Sequence, residues 1–262
     1  MCWKKLFGGG SVDPVIGDRI FLHFAIDDWP GSQNDLPDCV IDQNNIVNFI
    51  KKNYPEFQIR TFKNSEVTRA NFANRIKKQI QLLKPGDKFG MGYSGHGTKG
   101  TDPYGIEVDK YSEALFLYDG AFWDREFSAL LDLIPDGADV LIALDSCFAK
   151  GSTVVKLINS KPLQKARYMP IQELKPGVEM ARSYLKNNMK NYAVFAACQE
   201  NQTSSSTSYG GVFTLNWIKA WQRLFTNQKW SDETARFVKL NGEAQVPNID
   251  GDPRIINKII FS

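Results

Sequence analysis

Asp139-Val-Leu-Ile-Ala143-Leu-Asp-Ser-Cys-Phe-Ala149 decides how this chain is read. The run Val140 to Leu144 is apolar throughout, as a strand covered on both faces must be. A second such run, Asp87-Lys-Phe-Gly-Met-Gly92, leads into Tyr93-Ser-Gly-His-Gly-Thr98. Placed side by side and parallel in an α/β sheet, the two strands bring their tips to one edge. Sites in open parallel sheets lie outside the carboxyl ends of the strands. Cys147 and His96 then share a crevice, as candidate nucleophile and base. The chain has only two histidines, which narrows the choice of base.

Outward from there, strands and helices alternate. Arg19 to Ile26 is a mostly apolar strand, with His23 read as a packed side chain inside it. Pro37 to Lys52 has helical spacing, and Pro37 suits a first turn. Phe57 to Phe62 alternates as a strand. Thr68 can cap a helix running to about Leu83. Gly97 to Asp109 reads as a polar loop, Ala114 to Tyr118 as a short strand and Asp124 to Leu133 as a helix. Tyr192 to Cys198 returns to buried strand. Gly210 to Phe225 reads as an apolar helix, Ser231 as the cap of another to about Leu240, and Arg254 to Phe261 as a last strand. This alternation predicts an α/β fold with a mostly parallel sheet and helices on both faces. Residues 1–18, rich in glycine, read as a flexible arm, and 19–262 as one domain.

Composition excludes several classes. The 262 residues are 42% hydrophobic and 23% charged, ordinary for a globular chain. A net charge of +3 gives no case for nucleic acid or membrane as the main partner. No apolar run approaches the roughly 20 residues of a membrane helix. Met1 to Phe7 runs straight into Gly8-Gly-Gly10, too short for a signal peptide's apolar core. The cysteines at 2, 39, 147 and 198 form no C-x-x-C pair and no zinc-finger spacing. Sparse, unpaired cysteines predict a cytoplasmic location. Cys39 and Cys198, in apolar surroundings, read as core.

Two motifs mislead. Gly95-His-Gly-Thr-Lys-Gly100 and Gly90-Met-Gly-Tyr-Ser-Gly95 both match G-x-G-x-x-G. A dinucleotide site needs those glycines to open a helix, and Thr101-Asp-Pro-Tyr-Gly105 does not open one. Gly92-Tyr-Ser-Gly-His96 lacks the last glycine of the serine-hydrolase elbow, so Ser94 is not read as the nucleophile.

With these residues in view, the chain resembles the caspase-like cysteine proteases, and within them the metacaspases and their bacterial relatives. His96 in Tyr-Ser-Gly-His-Gly and Cys147 in Asp-Ser-Cys resemble the dyad, in the right order and about fifty residues apart. Leu36-Pro-Asp-Cys-Val-Ile-Asp42 resembles the family's L-x-G-C-x-N-D. Ala197-Cys-Gln-Glu-Asn-Gln-Thr-Ser204 resembles the A-C-x-x-x-Q-T-S that opens the small-subunit half. Gln245-Val-Pro-Asn-Ile249 resembles a Q-x-P stretch near the end. The likeness spans roughly residues 19 to 261. It implies a caspase-like three-layer sandwich, with a large-subunit-like part at about 19–150, a linker at about 151–191 and a small-subunit-like part at about 192–262.

The chemistry implied is that of a cysteine endopeptidase. A thiol with a pKa of about 8.5 is mostly protonated at neutral pH. A neighbouring imidazole raises the thiolate fraction and later protonates the leaving amine. The oxyanion needs backbone donors, each worth about 10²–10³ in rate. The amides of Gly97 and Cys147 are the candidates. By motif, the pocket for the residue before the cut falls on Asp42, Ser94 and Asp145. Two carboxylates there select Arg or Lys and repel an acidic side chain. The expected partners are therefore protein or peptide substrates with Arg or Lys before the scissile bond, and the resemblance implies a monomer.

Calcium is where the chain departs from the family. The metacaspase calcium positions fall by motif on Ser112, Asp124, Arg125 and a residue near Val154. One carboxylate does not make a site that wants roughly six to eight oxygens. No metal and no cofactor are expected there. Asp102, Glu107, Asp109 and Glu113 read as solvated loop acids. The stretch Lys150 to Asn191 is unpatterned and includes Lys150, Lys156, Lys161, Lys165, Arg167 and Lys175. An enzyme preferring basic residues could cut itself there; a solvated basic loop is the equal alternative. The alternatives for the whole chain are a catalytically silent, caspase-like scaffold that binds peptides or partners, and a different thiol hydrolase on the same fold that depends on Cys147 but ignores basic peptides.

Overall fold

A computed structural model describes residues 16–102, 105, 111–146, 167, 169, 191–198, 204–221, 226–240 and 245–259. Its centre is a six-stranded sheet built from β1 (Arg19–Ala25), β2 (Gln58–Lys63), β3 (Lys88–Ser94), β7 (Asp139–Asp145), β8 (Tyr192–Ala196) and β11 (Asn248–Gly251). The order is β11-β8-β7-β3-β1-β2. All neighbours are parallel except β11, which runs antiparallel to β8. The mostly parallel α/β sheet expected from the sequence is thus observed.

Side-chain alternation splits each central strand between two cores. Leu22 and Phe24 of β1, Met91 and Tyr93 of β3, and Ile142 and Leu144 of β7 face one side. There they meet Phe72 and Ile76 of α2 (Arg69–Ile80) and Phe127 and Leu130 of α3 (Asp124–Leu131). Phe21, Leu141, Ala143 and Phe195 face the other side. They pack against Ile46 and Ile50 of α1 (Cys39–Asn53), Trp217 and Trp221 of α4 (Val212–Trp221) and Trp230 of α5 (Asn227–Leu240). Trp217 stacks on Trp221 with ring centroids 4.5 Å apart. Aromatic groups of this size dominate the apolar area a core removes from water.

Local signals set the helix starts. Thr68 Oγ1 accepts the Asn71 amide at 3.2 Å, capping α2. Asp27 carboxylate accepts the Val40 amide at 3.0 Å and fixes where α1 begins.

Three elements differ from the sequence reading. Gly97–Thr101 is a strand, β4, and not a loop. It pairs with β5 (Tyr111–Leu117), which pairs with β6 (Gly120–Trp123) in a small antiparallel sheet, and β9 (Ser206–Thr207) pairs antiparallel with β10 (Gly210–Gly211) just ahead of α4. The pairing supplies what the polar Gly-Thr-Lys-Gly-Thr sequence lacks in β propensity. Ser231 does not start a helix; it lies buried within α5. The last strand is β11, and Pro253–Ile256 forms the short helix α6. Asp252 caps that helix through the Arg254 amide at 2.8 Å, and Pro253 occupies its first turn. The N-terminal arm up to residue 15 and nearly all of the 150–191 stretch lie outside the described residues.

Candidate active site

The carboxyl ends of β1, β3 and β7 lie in register, with Ala25 beside Ser94 and Ser94 beside Asp145. The Gly95 amide donates to the Asp145 carbonyl at 3.3 Å, carrying the pairing one residue past the strand. His96 follows at once. Its backbone is anchored: the Phe116 amide donates to the His96 carbonyl at 2.8 Å, and Tyr93 Oη lies 3.0 Å from the same oxygen. Gly95 is required here, because a Cβ on it would run into the Tyr93 hydroxyl.

The His96 ring is 3% exposed and packs on Trp29 with centroids 4.6 Å apart. Its Nε2 lies 2.7 Å from the Asn34 carbonyl oxygen. A carbonyl only accepts, so this contact puts a proton on Nε2. The neutral ring then carries its lone pair on Nδ1. Nothing in the sequence marked Asn34, because the orienting group is backbone.

Cys147 lies outside the described residues. The chain is described to Ser146, which is buried, and Cys198 Sγ donates to the Ser146 carbonyl at 3.6 Å. Cys39 and Cys198 are both buried, in keeping with core roles.

Beside His96 lies a fully buried ionic cluster centred on Arg167. Arg167 Nη2 reaches Asp38 Oδ2 at 2.5 Å and Asp42 Oδ2 at 2.6 Å. Nη1 reaches both Asp145 Oδ1 and the Asp145 carbonyl at 3.1 Å. Each acid is held from behind. The Gly211 amide donates to Asp42 Oδ1 at 2.7 Å. Ser204 Oγ donates to Asp145 Oδ1, and Thr214 Oγ1 to Asp145 Oδ2, both at 2.7 Å. Thr214 lies in the first turn of α4, whose amide end favours a carboxylate.

The backbone of Arg167 is held as well. Its amide donates to the Ser204 carbonyl at 3.4 Å, and its carbonyl accepts the Gly97 amide at 2.9 Å. Two residues on, the Met169 amide donates to the Gly97 carbonyl at 2.9 Å.

Burial pushes the Asp42 carboxyl up to about 8, against the pull of the Arg167 guanidinium. Burial raises Asp38 too, again opposed by Arg167. Burial also disfavours the Arg167 charge, but Asp145, Asp42 and Asp38 outweigh it and hold the guanidinium well above its ordinary value. Burial and the neighbouring acids thus favour the protonated form of Asp42, and the Arg167 guanidinium opposes them.

Of the residues singled out in the sequence, Asp42, Asp145 and Gly97 all contact Arg167. Ser94 is buried beside Asp145 in the sheet register, and its Oγ has no hydrogen-bond partner among the described residues. Sequence reading missed Asp38, although its spacing of four from Asp42 puts both on one helix face. It also missed Ser204, whose hydroxyl holds Asp145. Gln245 joins two loops around the cluster, accepting the Ser205 amide at 2.9 Å and donating to the Ala197 carbonyl at 3.1 Å. At the candidate calcium positions, Ser112 Oγ donates to Asp102 at 3.2 Å, and the Arg125 amide donates to Asp124.

A mostly parallel sheet with helices on both faces, and a histidine beside a buried acidic cluster at the ends of adjacent strands, fits the architecture of the caspase-like proteins. The chain belongs to the caspase-domain family, whose model matches residues 18–254. It is 24% identical over 229 residues to metacaspase-2 of Arabidopsis thaliana, covering 80% of this chain and 53% of that protein. It is 24% identical over 261 residues to metacaspase-1 of Schizosaccharomyces pombe, covering 80% of this chain and 61% of that one. The chain thus spans between half and two thirds of these relatives. Among solved structures, a Geobacter sulfurreducens protein superposes with a TM-score of 0.69 at 23% identity, covering 92% of this chain and 99% of that one. Caspase-1 of Spodoptera frugiperda superposes with a TM-score of 0.64 at 12% identity, covering 93% and 88%. No helix among the described residues is long and apolar enough to cross a membrane.

Proposed function

We propose that this chain is a cysteine endopeptidase that cuts after Arg or Lys. Cys147 is the nucleophile and His96 the base. The Gly97 and Cys147 amides stabilise the oxyanion, and Asp42, Ser94 and Asp145 form the pocket for the residue before the cut. One observation carries the reading: a guanidinium sits between Asp42 and Asp145, while the carbonyl of the same residue meets the amide next to His96.

In this reading His96 keeps its Nε2 proton on Asn34 and takes the thiol proton at Nδ1. The thiolate adds to the substrate carbonyl, and the Gly97 amide receives the developing charge. The proton then passes from Nδ1 to the leaving amine, and water releases the acyl group. Catalysis is independent of calcium, since Ser112 and Arg125 stand where the family resemblance implies carboxylate ligands. The enzyme processes itself within the 150–191 stretch, works as a monomeric single domain of about 19–262, and is cytoplasmic.

Fluorogenic peptides ending in Arg, Lys or Asp test this, with wild type and Cys147→Ala, in calcium and in chelator. Turnover of Arg and Lys peptides only, lost in Cys147→Ala and indifferent to chelator, is expected. Loss in chelator would overturn calcium independence alone. No turnover of any peptide by intact or processed chain would favour the silent scaffold.

A further inference from the structure

Asp27 to Leu36 closes into a loop at the carboxyl end of β1. The Leu36 amide donates to the Asp27 carbonyl at 2.8 Å, so the two ends of the loop meet. Within it, the Trp29 amide donates to Asp35 Oδ1 at 3.0 Å, and the Asn34 amide to the Gly31 carbonyl at 3.2 Å. Compact loops packed by their own side chains often carry function. This one is also pinned from outside. Just ahead of it, the Ile26 amide donates to the Ser94 carbonyl at 3.0 Å, two residues from His96. Asn64, which follows β2, stands in the left-handed region at φ 48°. Its Oδ1 accepts the Asp27 and Asp28 amides at 2.9 and 3.4 Å, and its Nδ2 donates to Asp28 Oδ2 at 2.7 Å.

The loop touches His96 twice, through the Asn34 carbonyl on Nε2 and through the Trp29 ring. A single hydrogen bond is a pivot, and the Trp29 ring blocks it, with centroids 4.6 Å apart and planes tilted by 48°. Trp29 is buried, and its Nε1 has no hydrogen-bond partner among the described residues. A buried N–H without a partner is a cost that Phe or Leu would not incur in the same place. Core filling alone therefore does not explain a tryptophan here. What tryptophan offers beyond both is the strongest aromatic attraction for a cation, and His96 lies within the roughly 6 Å over which that attraction acts.

We infer that Trp29 is a positioning residue for His96: it holds the imidazole with Nε2 on Asn34 and favours the ring when it carries its second proton. The inference rests on the reading of His96 as the base of a cysteine endopeptidase. In that reading the ring starts neutral and becomes an imidazolium on taking the thiol proton. An attraction that grows with the charge acts on that step and little on substrate binding, so it raises kcat and leaves KM alone. Asn64 serves the same end at one remove, by fixing the backbone from which Trp29 projects.

The chain has only two histidines, so imidazole-nitrogen NMR on isotope-labelled histidine reads His96 directly once His96→Ala identifies its signals. Arg-peptide kinetics supply kcat and KM, and urea titration checks that each variant is folded. Wild type is expected to hold the His96 proton on Nε2. Trp29→Leu is expected to populate both tautomers and to lose about tenfold in kcat, with KM within about twofold. Trp29→Phe keeps an aromatic ring and should lie within about threefold of wild type. Asn64→Gly tolerates the left-handed backbone and removes the side-chain bracket. It should shift tautomer and kcat in the same direction as Trp29→Leu, and it decides the matter if Trp29→Leu does not fold. A wild-type tautomer and kcat in the deciding variant would overturn the inference, as would a loss carried by KM alone. No turnover by wild type would overturn the peptidase reading; the tautomer comparison needs no turnover and would still judge the placement of the ring.

Discussion

Asp38 and Asp42, one helical turn apart, converge on the same atom: their carboxylates lie 2.5 and 2.6 Å from Arg167 Nη2. Asp145 takes Nη1 from the opposite side. The acidic cluster, the proposed pocket for the residue before the cut, is therefore divided between two nitrogens of one planar fork. A lysine offers a single nitrogen and cannot satisfy both positions at once. Peptides ending in Arg are expected to exceed Lys peptides by about tenfold or more in kcat/KM. Asp38→Asn should narrow that margin, because it weakens the Nη2 side. Equal rates on Arg and Lys peptides would show that the fork is not read.

Gly211 makes a separate prediction about the wall of the proposed pocket. Its amide serves Asp42, and a side chain there would strike Asp145 and crowd Arg167. Gly211→Ala is expected to cost about 1–3 kcal/mol of stability, as overpacking of a tight interior does. It should also weaken binding of Arg peptides more than it slows the chemical step. Titration with urea and separate kcat and KM values would read both effects. A variant of wild-type stability would mean that the wall yields.

His23 predicts the acid limb of stability. It is fully buried, and neither ring nitrogen has a hydrogen-bond partner among the described residues. Burial, with Arg167 adding repulsion, lowers its pKa from 6.5 to about 3. The folded ring stays neutral while the unfolded one takes up a proton. Stability is therefore complete above about 6.5 and falls as pH drops towards 3, by up to about 5 kcal/mol. His23→Leu should flatten that fall in urea midpoints measured from pH 7 to pH 4. An unchanged slope would assign the acid loss to other groups.

Asp42 gives the opposite sign. Its carboxyl titrates near 3.8 when unfolded and near 8 when folded, so the folded state holds the extra proton between those values. The stability it contributes is present below 3.8 and declines as pH rises through 8. Asp38, Asp145 and Arg167 all face this group, so the titration belongs to the cluster. Asp42→Asn should remove the decline between pH 5 and 8, whatever its effect on overall stability. A steeper decline in the variant would contradict the sign.

Much of the fold was legible because its central strands are buried on both faces. Val140 to Leu144 and Arg19 to Ile26 have no polar face to hide, so their apolar runs read directly. β4 was illegible for the converse reason. Its residues carry almost no apolar signal, and only pairing with β5 makes them a strand. Ile255 and Ile256 suited either a strand or a helix, and the short-range contest was settled by Asp252 and Pro253 just ahead of them. Near His96, Asp42 and Asp145 were singled out through motif likeness, and both contact Arg167. Asp38 was hidden because the family pattern has glycine at its place, and Arg167 because 125 residues separate it from Asp42. Long-range pairing of that kind leaves no local period.

The two borders of the main sheet differ in a way that bears on association between copies. β2 is half exposed and presents Arg60 and Lys63, charges that an incoming strand would have to desolvate. β11 spans four residues, Asn248–Gly251, and is bounded by Pro247 and Pro253. A proline offers no amide to a ladder, so a neighbour docking there would find its hydrogen bonds ended after four positions. Charge on one border and proline brackets on the other work against open-ended sheet growth, a safeguard for a chain whose central strands are as apolar as Val140 to Leu144.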